Sequence, residues 1–481
     1  MKKVHSANHS RNTFPKAATG IEGLDEITGG GLPKGRTTLV VGSPGCGKTL
    51  MTMTFLAHGA MYCGEPGVCI QFEESADKLG ANLISLGIDL DDLTRRKKLL
   101  VDHVRIERNE IEETGEYDLQ GLFIRLGLAV DTIKAKRVVM DGIETLFAGL
   151  QDQAILRSEL RRLFGWLDDH NLTAIVTGER GDKMLTRHGL EEYIADCVIL
   201  LDHRVTDQIS TRRLRIVKYR GSSHGTDEYP FLIDDDGITL MPVTSLGLTH
   251  KASKERVPSG IPALDEMLGG KGFYRGSSIL VSGTAGTGKS SIGARFADAG
   301  CARGESCLYF AFEESPSQIM RNMASLGVKL DRWVKKGLLT FHAARPASTG
   351  LEMHLAVMQK MVAKLSPNIV VLDPLTSIFA AGNSHGAQVM FTRMIDFLKM
   401  RGVTSIFTNL TASSGEGHDY AGVSSLMDAW ISLELVGGNG SGPARILSVV
   451  KSRGMAHARG GRELIVKKGR LDLAPAPEEI R

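Results

Sequence analysis

The chain has no excess of charge of either sign, no closely spaced cysteine pair and no long apolar run, and each absence removes a class of function. Its 58 Lys and Arg residues stand against 55 Asp and Glu, a formal net charge of +3, and the cations are scattered among acids rather than gathered into a block. Composition therefore favours neither nucleic acid nor an anionic membrane surface as a partner. Six cysteines, at positions 46, 63, 69, 197, 301 and 307, form no CxxC pair and no Cys/His metal spacing. That excludes a zinc ribbon and points to reduced, buried thiols of a cytosolic protein. Nowhere do about 18 apolar residues run together. The polar, basic start, residues 1–14, has no apolar stretch behind it. The expectation is a cytoplasmic protein without a membrane partner, opening on a flexible segment over 1–14.

What the chain does have is a glycine-rich phosphate-binding loop, twice. Gly42-Ser43-Pro44-Gly45-Cys46-Gly47-Lys48-Thr49 and Gly283-Thr284-Ala285-Gly286-Thr287-Gly288-Lys289-Ser290 each follow a β-branched run, at 36–41 or 277–282, and each opens a helical pattern. A short buried strand before the loop is the context the motif needs. In that setting the glycines let backbone amides curl round phosphates, Lys48 or Lys289 reaches the β and γ oxygens, and the Thr49 or Ser290 hydroxyl ligates Mg²⁺. Two nucleotide sites are predicted.

The likeness between the halves extends well past these loops. GIEGLDE at 20–26 returns as GIPALDE at 260–266, FEES at 72–75 as FEES at 312–315, RVVMD at 137–141 as IVVLD at 369–373, and VKYRGSSH at 217–224 as VKSRGMAH at 450–457. Cys63 and Cys69 match Cys301 and Cys307. So long a period is no solenoid repeat, and each copy is expected to fold on its own core. The predicted division is a first ATPase domain over 15–247, a second over 248–473 and a short tail over 474–481, with the junction in the polar stretch 244–256. Within a copy, segments such as 68–72, 137–141 and 173–177 are continuous apolar runs, separated by helical patterns such as 156–167. Unbroken runs signal strands covered on both faces, hence an α/β fold with a mainly parallel central sheet. Nucleotide then belongs at the carboxyl ends of the strands.

Several polar residues fall at those ends. Asp141 and Asp373 close apolar strands, where a carboxylate can hold Mg²⁺ or its water; a turn or helix cap is the other reading. In the pairs Glu73-Glu74 and Glu313-Glu314, neighbouring carboxylates repel, which suits one of them to taking a proton. The same Glu-Glu-Ser would also start a helix, with Ser75 or Ser315 as cap. Lys218/Arg220 and Lys451/Arg453 put two cations on one side of a strand. In a ring of subunits they can act on the neighbour's nucleotide; a solvated strand face is the alternative. Counting back from Asp196 and Asp428, the first copy has Glu192-Tyr193 where the second has Ser424-Ser425. Only the second offers serine hydroxyls, so it is the copy expected to pass a phosphoryl group to serine, with Glu313 as base, unless the segment is an ordinary polar turn.

Together these residues resemble the KaiC family of double-domain ATPases and autokinases, over residues 15 to about 473. The resemblance rests on LDEITGGGLPKG, the paired FEES segments, RHGLEEYIAD, KYRGSSHG followed by EYPF, and LDEMLGG. It implies tandem RecA-like P-loop NTPase domains in a double-ring homohexamer, with ATP at subunit interfaces of both rings. Carried over residue by residue, Gly45, Gly47, Lys48, Thr49 and Leu50, and Gly286, Thr287, Gly288, Lys289 and Ser290, bind ATP. Thr49, Asp141, Ser290, Asp373 and Glu313 serve the metal, and Glu73 and Glu313 are the bases, each beside a second candidate, Glu74 or Glu314. Lys218, Arg220, Ser222, His224 and Asp235, with Lys451 and Arg453, touch ATP from the adjacent subunit; Ser424 and Ser425 are the phosphorylation pair of a serine autokinase and autophosphatase. The second serine stands where the family has threonine. KaiB-like or other signalling proteins are the implied partners, whereas the tail through which the clock proteins respond to KaiA is shortened, so KaiA dependence is not expected. Two competing readings stay open. A RecA- or DnaB-like nucleic-acid-dependent ATPase needs basic or aromatic pore loops, and no clear basic loop is present. A nucleotide-gated scaffold without kinase activity would bind partners equally well without Ser424 and Ser425.

Overall fold

The computed structural model describes residues 14–104, 119–147, 153–181, 185–186, 194–206, 209–240, 252–345, 351–379, 384–411, 423–437, 443–467 and 469–475. The chain divides into two compact units between Thr244 and Ser245.

Each unit is built on a nine-stranded sheet. In the first the order across the sheet is Gly237–Leu240, Glu228–Asp234, Ile209–Tyr219, Cys197–Thr206, Thr37–Gly42, Thr173–Glu179, Arg137–Asp141, Gly67–Gln71, Leu99–His103. Neighbours from Cys197–Thr206 onward are parallel, while the remaining strands extend that edge antiparallel. The second unit repeats this plan, with Leu339–Ala343, Cys307–Ala311, Ile369–Asp373, Thr404–Leu410, Ser278–Gly283 and Ala429–Val436 parallel, followed by the antiparallel Ala444–Ser452, Arg462–Lys467 and Arg470–Pro475.

The apolar runs are strands because both faces are covered. Leu39 and Val41 pack into one core cluster and Val40 into the other, as Leu280 and its neighbours Ile279 and Val281 do in the second unit. That is the expected α/β fold. Observed strands lie within a residue or two of the predicted runs, and the predicted helix at 156–167 sits inside Gln153–Asp169.

At the centre of each sheet a strand runs into the phosphate loop and then into a helix, Lys48–Tyr62 or Lys289–Ala302. The residues capping these helices, Gly47 and Gly288, have φ of 106° and 103°. A Cβ at Gly47 would lie 2.9 Å from Ile233 Cδ1, and one at Gly288 3.0 Å from Leu464 Cδ2. Glycine is required on both counts, conformation and room, and the close approach locks each loop against the antiparallel edge of its own sheet.

Two expectations need correction. Cys69 is not the counterpart of Cys307. Gly67 and Cys307 open the equivalent strands, opposite Arg137 and Ile369, which sets Cys69 against Tyr309. Likewise Cys63 follows its helix and is exposed, while Cys301 lies inside its helix and is buried. Burial pattern, not cysteine, is what the two copies keep. Second, Arg220 and Arg453 do not share a strand face with Lys218 and Lys451. The strands end at Tyr219 and Ser452, and the next glycines, Gly221 and Gly454, turn the chain at φ 79° and 70°. Among the described residues no helix is long and apolar enough to cross a membrane.

Candidate functional site

The first phosphate loop borders a cavity of about 340 Å³ whose walls are Gly45, Gly47, Lys48, Thr49 and Leu50 on one side and Glu73, Glu74, Asp141, Glu144 and Glu179 on the other. Strand order explains the assembly: Glu179, Asp141 and Gln71 end three successive parallel strands on one side of the loop strand, so their carboxyl ends open on the same edge. Asp141 is buried and held by three donors, Thr49 Oγ1 at 2.8 Å, Thr177 Oγ1 at 2.6 Å and Gln71 Nε2 at 3.2 Å. Lys48 Nζ donates to the carbonyls of Gly42 at 2.7 Å and Ser43 at 3.3 Å.

Glu73 lies over Gly142, whose absent Cβ would come within 3.0 Å of it. Burial raises the Glu73 carboxyl above the usual glutamate range; Asp141, Glu179 and Glu74 push it the same way, against the pull of Lys48. A carboxylate so placed suits proton acceptance. The other reading of Glu-Glu-Ser holds in position for both copies, since Ser75 and Ser315 precede helices Ala76–Ile84 and Pro316–Ala324, but of the two it is Ser315 that makes the side-chain cap bond.

The second unit repeats the core of this arrangement with different donors. Lys289 Nζ donates to Gly283 O at 2.9 Å and Thr284 O at 2.8 Å, and burial lowers its pKa against the opposing pull of Asp373 and Glu313. Asp373 accepts from the Tyr309 hydroxyl at 2.7 Å and from Thr408 Oγ1. Burial and that neighbouring carboxylate keep Tyr309 protonated, well above the usual tyrosine range. The glutamate pair divides: Glu313 accepts from Ser377 Oγ at 2.8 Å, whereas Glu314 turns to Asn322 Nδ2 at 3.0 Å on the following helix.

The donor set fits Mg²⁺. Thr49 and Asp141 present hard oxygens at hydrogen-bond distance beside the loop, and this ion takes one or two protein oxygens plus water and substrate phosphates. Among the described residues that line the cavity, Lys48 is the one cation, against five carboxylates. Lys218, Arg220, Ser222, His224 and Asp235 contribute nothing to it. Ser222 instead accepts from Lys16 Nζ at 2.8 Å, His224 stacks against Tyr219, Arg220 lies 3.6 Å from Asp196, and Asp235 is exposed in the turn before Gly237–Leu240.

In the second unit Lys451 and Arg453 converge on the short helix Val423–Leu426. Lys451 Nζ donates to Ser424 O at 3.0 Å and Ser425 O at 3.4 Å, and Arg453 Nη2 donates to Ser425 O. Ser424 is half-buried and Ser425 exposed. Glu192 and Tyr193, their first-copy counterparts, lie outside the described residues.

Sequence reasoning missed the residues that orient the carboxylates, Gln71, Thr177, Tyr309 and Thr408, and the wall residues Glu144 and Glu179. It also missed Arg445, whose Nε donates to Gly286 O of the second loop at 3.2 Å. The repeat carried the signal: Thr177 and Thr408 hold equivalent places, and Arg212 precedes Lys218 as Arg445 precedes Lys451. Arg212 lies near enough to the first loop to oppose the upward push of burial on the Cys46 thiol.

Comparison with known proteins gives one consistent result. The family model described as ATPase: KaiC matches residues 17–245 and again 257–477. Circadian clock protein KaiC2 of Synechocystis sp. is 52% identical over 465 residues, covering 96% of this chain and 82% of the relative. Circadian clock oscillator protein KaiC of Parathermosynechococcus lividus is 38% identical over 465 residues, covering 96% and 85%, and that of Rippkaea orientalis 35% over 471 residues, covering 96% and 90%. Duplicated loop, repeated sheet and doubled family match all describe one thing, and the chain belongs to the KaiC ATPase family, as two RecA-like α/β domains in tandem.

Proposed function

We propose that the chain is a cytoplasmic ATPase and serine autokinase/autophosphatase, working as a double-ring homohexamer with ATP held between neighbouring protomers. Its first domain, 15–247, hydrolyses ATP; its second, 248–473, transfers the γ-phosphoryl group to Ser424 or Ser425. Proteins of the KaiB kind are the proposed partners, with no role proposed for KaiA.

The observation that carries this reading is the grip of Lys451 and Arg453 on the backbone of Ser424 and Ser425. Cations that neutralise charge on a neighbour's nucleotide would bring two serine hydroxyls with them. The acid-rich first cavity supports the same geometry, because among the described residues its walls set five carboxylates against one lysine, and a triphosphate there gains from further positive charge. Lys218 and Arg220, which do not reach their own chain's cavity, are the candidates to supply it.

Within that frame each side chain has a task. Lys48 and Lys289 bind the β and γ oxygens, and Thr49 with Asp141, or Ser290 with Asp373, would hold Mg²⁺, which offsets charge on the transferred group. In the first domain Glu73 orients a water and accepts its proton as the new oxygen–phosphorus bond forms and the bond to the bridging oxygen of ADP breaks. In the second, Glu313 accepts the proton of a serine hydroxyl that attacks in the same way, leaving phosphoserine and ADP. Phosphoserine formed there stays within reach of the same groups, which is the basis of the phosphatase direction.

Incubating the full chain with Mg²⁺ and γ-labelled ATP tests the kinase claim. Label should appear on the native protein and be lost in Ser424→Ala/Ser425→Ala. An unlabelled native protein that still hydrolyses ATP would remove the autokinase and leave the ATPase.

A further inference from the structure

The second unit carries a group of cations that its duplicated partner does not build. Lys399 sits at the end of helix Ser384–Met400 and pairs with Asp428, 2.8 Å from Oδ2 and 3.0 Å from Oδ1. Arg453 lies 3.9 Å from the same carboxylate, and its backbone N–H donates to Asp428 O at 2.7 Å. Lys451 and Arg453 both reach the serine helix. Burial lowers the Lys451 pKa, and Arg453 and Lys399 add to that, against the opposing pull of Asp428.

The first unit has the same scaffold with different charge. Helices Gln153–Asp169 and Ser384–Met400 are both 17 residues long, and both lead into seven-residue strands. This alignment puts Asp168 where the second unit has Lys399. Asp168 faces Asp196, the counterpart of Asp428; burial raises its carboxyl, Asp196 adds to this and Arg36 opposes it. Arg36, 3.5 Å from Asp196, has Ser277 as its counterpart. An acid has become a lysine and an arginine a serine, which leaves the second cluster one positive charge richer. The change occurs in the copy that has Ser424-Ser425 in place of Glu192-Tyr193.

We propose that Lys399, Lys451 and Arg453 form a receptor for the phosphoryl group carried by Ser425 of the same chain. It rests on the reading of Ser425 as a phosphoacceptor. Lys451 and Arg453 already hold the Ser425 carbonyl, so a phosphate on its side chain meets both with a small shift, and Lys399 supplies a third partner. Phosphoserine carries nearly two negative charges and strong acceptor oxygens, matched to several charge-assisted hydrogen bonds. Once engaged there, Lys451 and Arg453 are withdrawn from a neighbour's nucleotide. The modified state thereby weakens the next transfer.

The test uses full-length protein with phosphoserine installed at position 425 during synthesis, so that it does not depend on autokinase activity. Release of phosphate by an added broad-specificity phosphatase is timed with Lys399 intact and in Lys399→Gln and Lys399→Arg. Release should be roughly tenfold slower with Lys399 than with glutamine, with arginine retaining the protection. In the native background the protection should fade as salt rises from about 50 mM to 0.5 M, as charge pairing at a half-exposed site requires. Equal release rates for Lys399 and Lys399→Gln, or protection indifferent to salt, would overturn the receptor. Failure of ATP to label the native protein would instead strike the kinase reading alone.

Discussion

Among the described residues, Arg137 is the largest side chain wholly removed from solvent. It opens a strand whose next three residues are core, and its guanidinium is accommodated by Glu65, 2.8 Å from Nε and 2.7 Å from Nη2, by the carbonyls of Ala18 and Phe55 at 2.9 and 2.8 Å, and by the Phe55 ring. Gly59 has no room for a Cβ beside it. The second unit places the apolar Ile369 there against Gly300, and its Glu305 pairs with Arg275 and Arg303 instead. Glu65→Ala should therefore cost about 3 kcal/mol, since it strands a buried cation, whereas adding Arg137→Ile should recover most of that loss. Urea-unfolding midpoints of the single and double variants measure both. In the sequence, Arg137 reads only as the first letter of RVVMD. Its burial depends on Glu65 and residue 18, far away along the chain. Lys48, Thr49, Asp141 and Glu73 were legible because the loop and the strand-end position announce them; Gln71 and Tyr309, which orient the aspartates, were not, because they meet them across paired strands.

Among elements, the two helices that follow FEES make a controlled comparison. Pro316–Ala324 is closed by a full capping box: Ser315 Oγ accepts from Gln318 N at 3.3 Å, and Gln318 Oε1 accepts from Ser315 N at 2.9 Å. Ala76–Ile84 has Ser75 at the same position without a side-chain cap bond. Ser315→Ala should lose about 1 kcal/mol of stability and speed amide exchange in its helix, while Ser75→Ala should lose less than about half of that. Equal losses would show that the box contributes nothing. Strands were the most readable elements, because a run such as RVVMD, covered on both faces, has no competing interpretation near a phosphate loop. The termini of the 209–219 and 444–452 strands were not readable. Bulges at Val198/Ile199 and Trp430/Ile431 shift their registers, and glycine turns then decide where Arg220 and Arg453 point.

For the whole molecule, ATP held between protomers, as proposed, makes nucleotide and assembly one problem. If ATP in the first domain joins protomers through a neighbour's Lys218 and Arg220, then Lys48→Ala should shift sedimentation in Mg²⁺-ATP from hexamer toward monomer by removing the cation that holds the phosphates. Hexamers that persist with that site unable to bind nucleotide would contradict the interfacial reading.

By itself the sequence determined the duplication, the parallel sheet, the loop at the head of each central helix and the position of the acids that end the strands. All of these are written in local spacing: turn chemistry, apolar continuity and repeat. Only the tertiary structure decided that Glu313 and Glu314 part company, that Lys451 and Arg453 hold the serine helix, and that Lys399 joins them through Asp428. The reason is that strands adjacent in the sheet are distant in the chain, so the partner of a side chain at a strand end is set by sheet order.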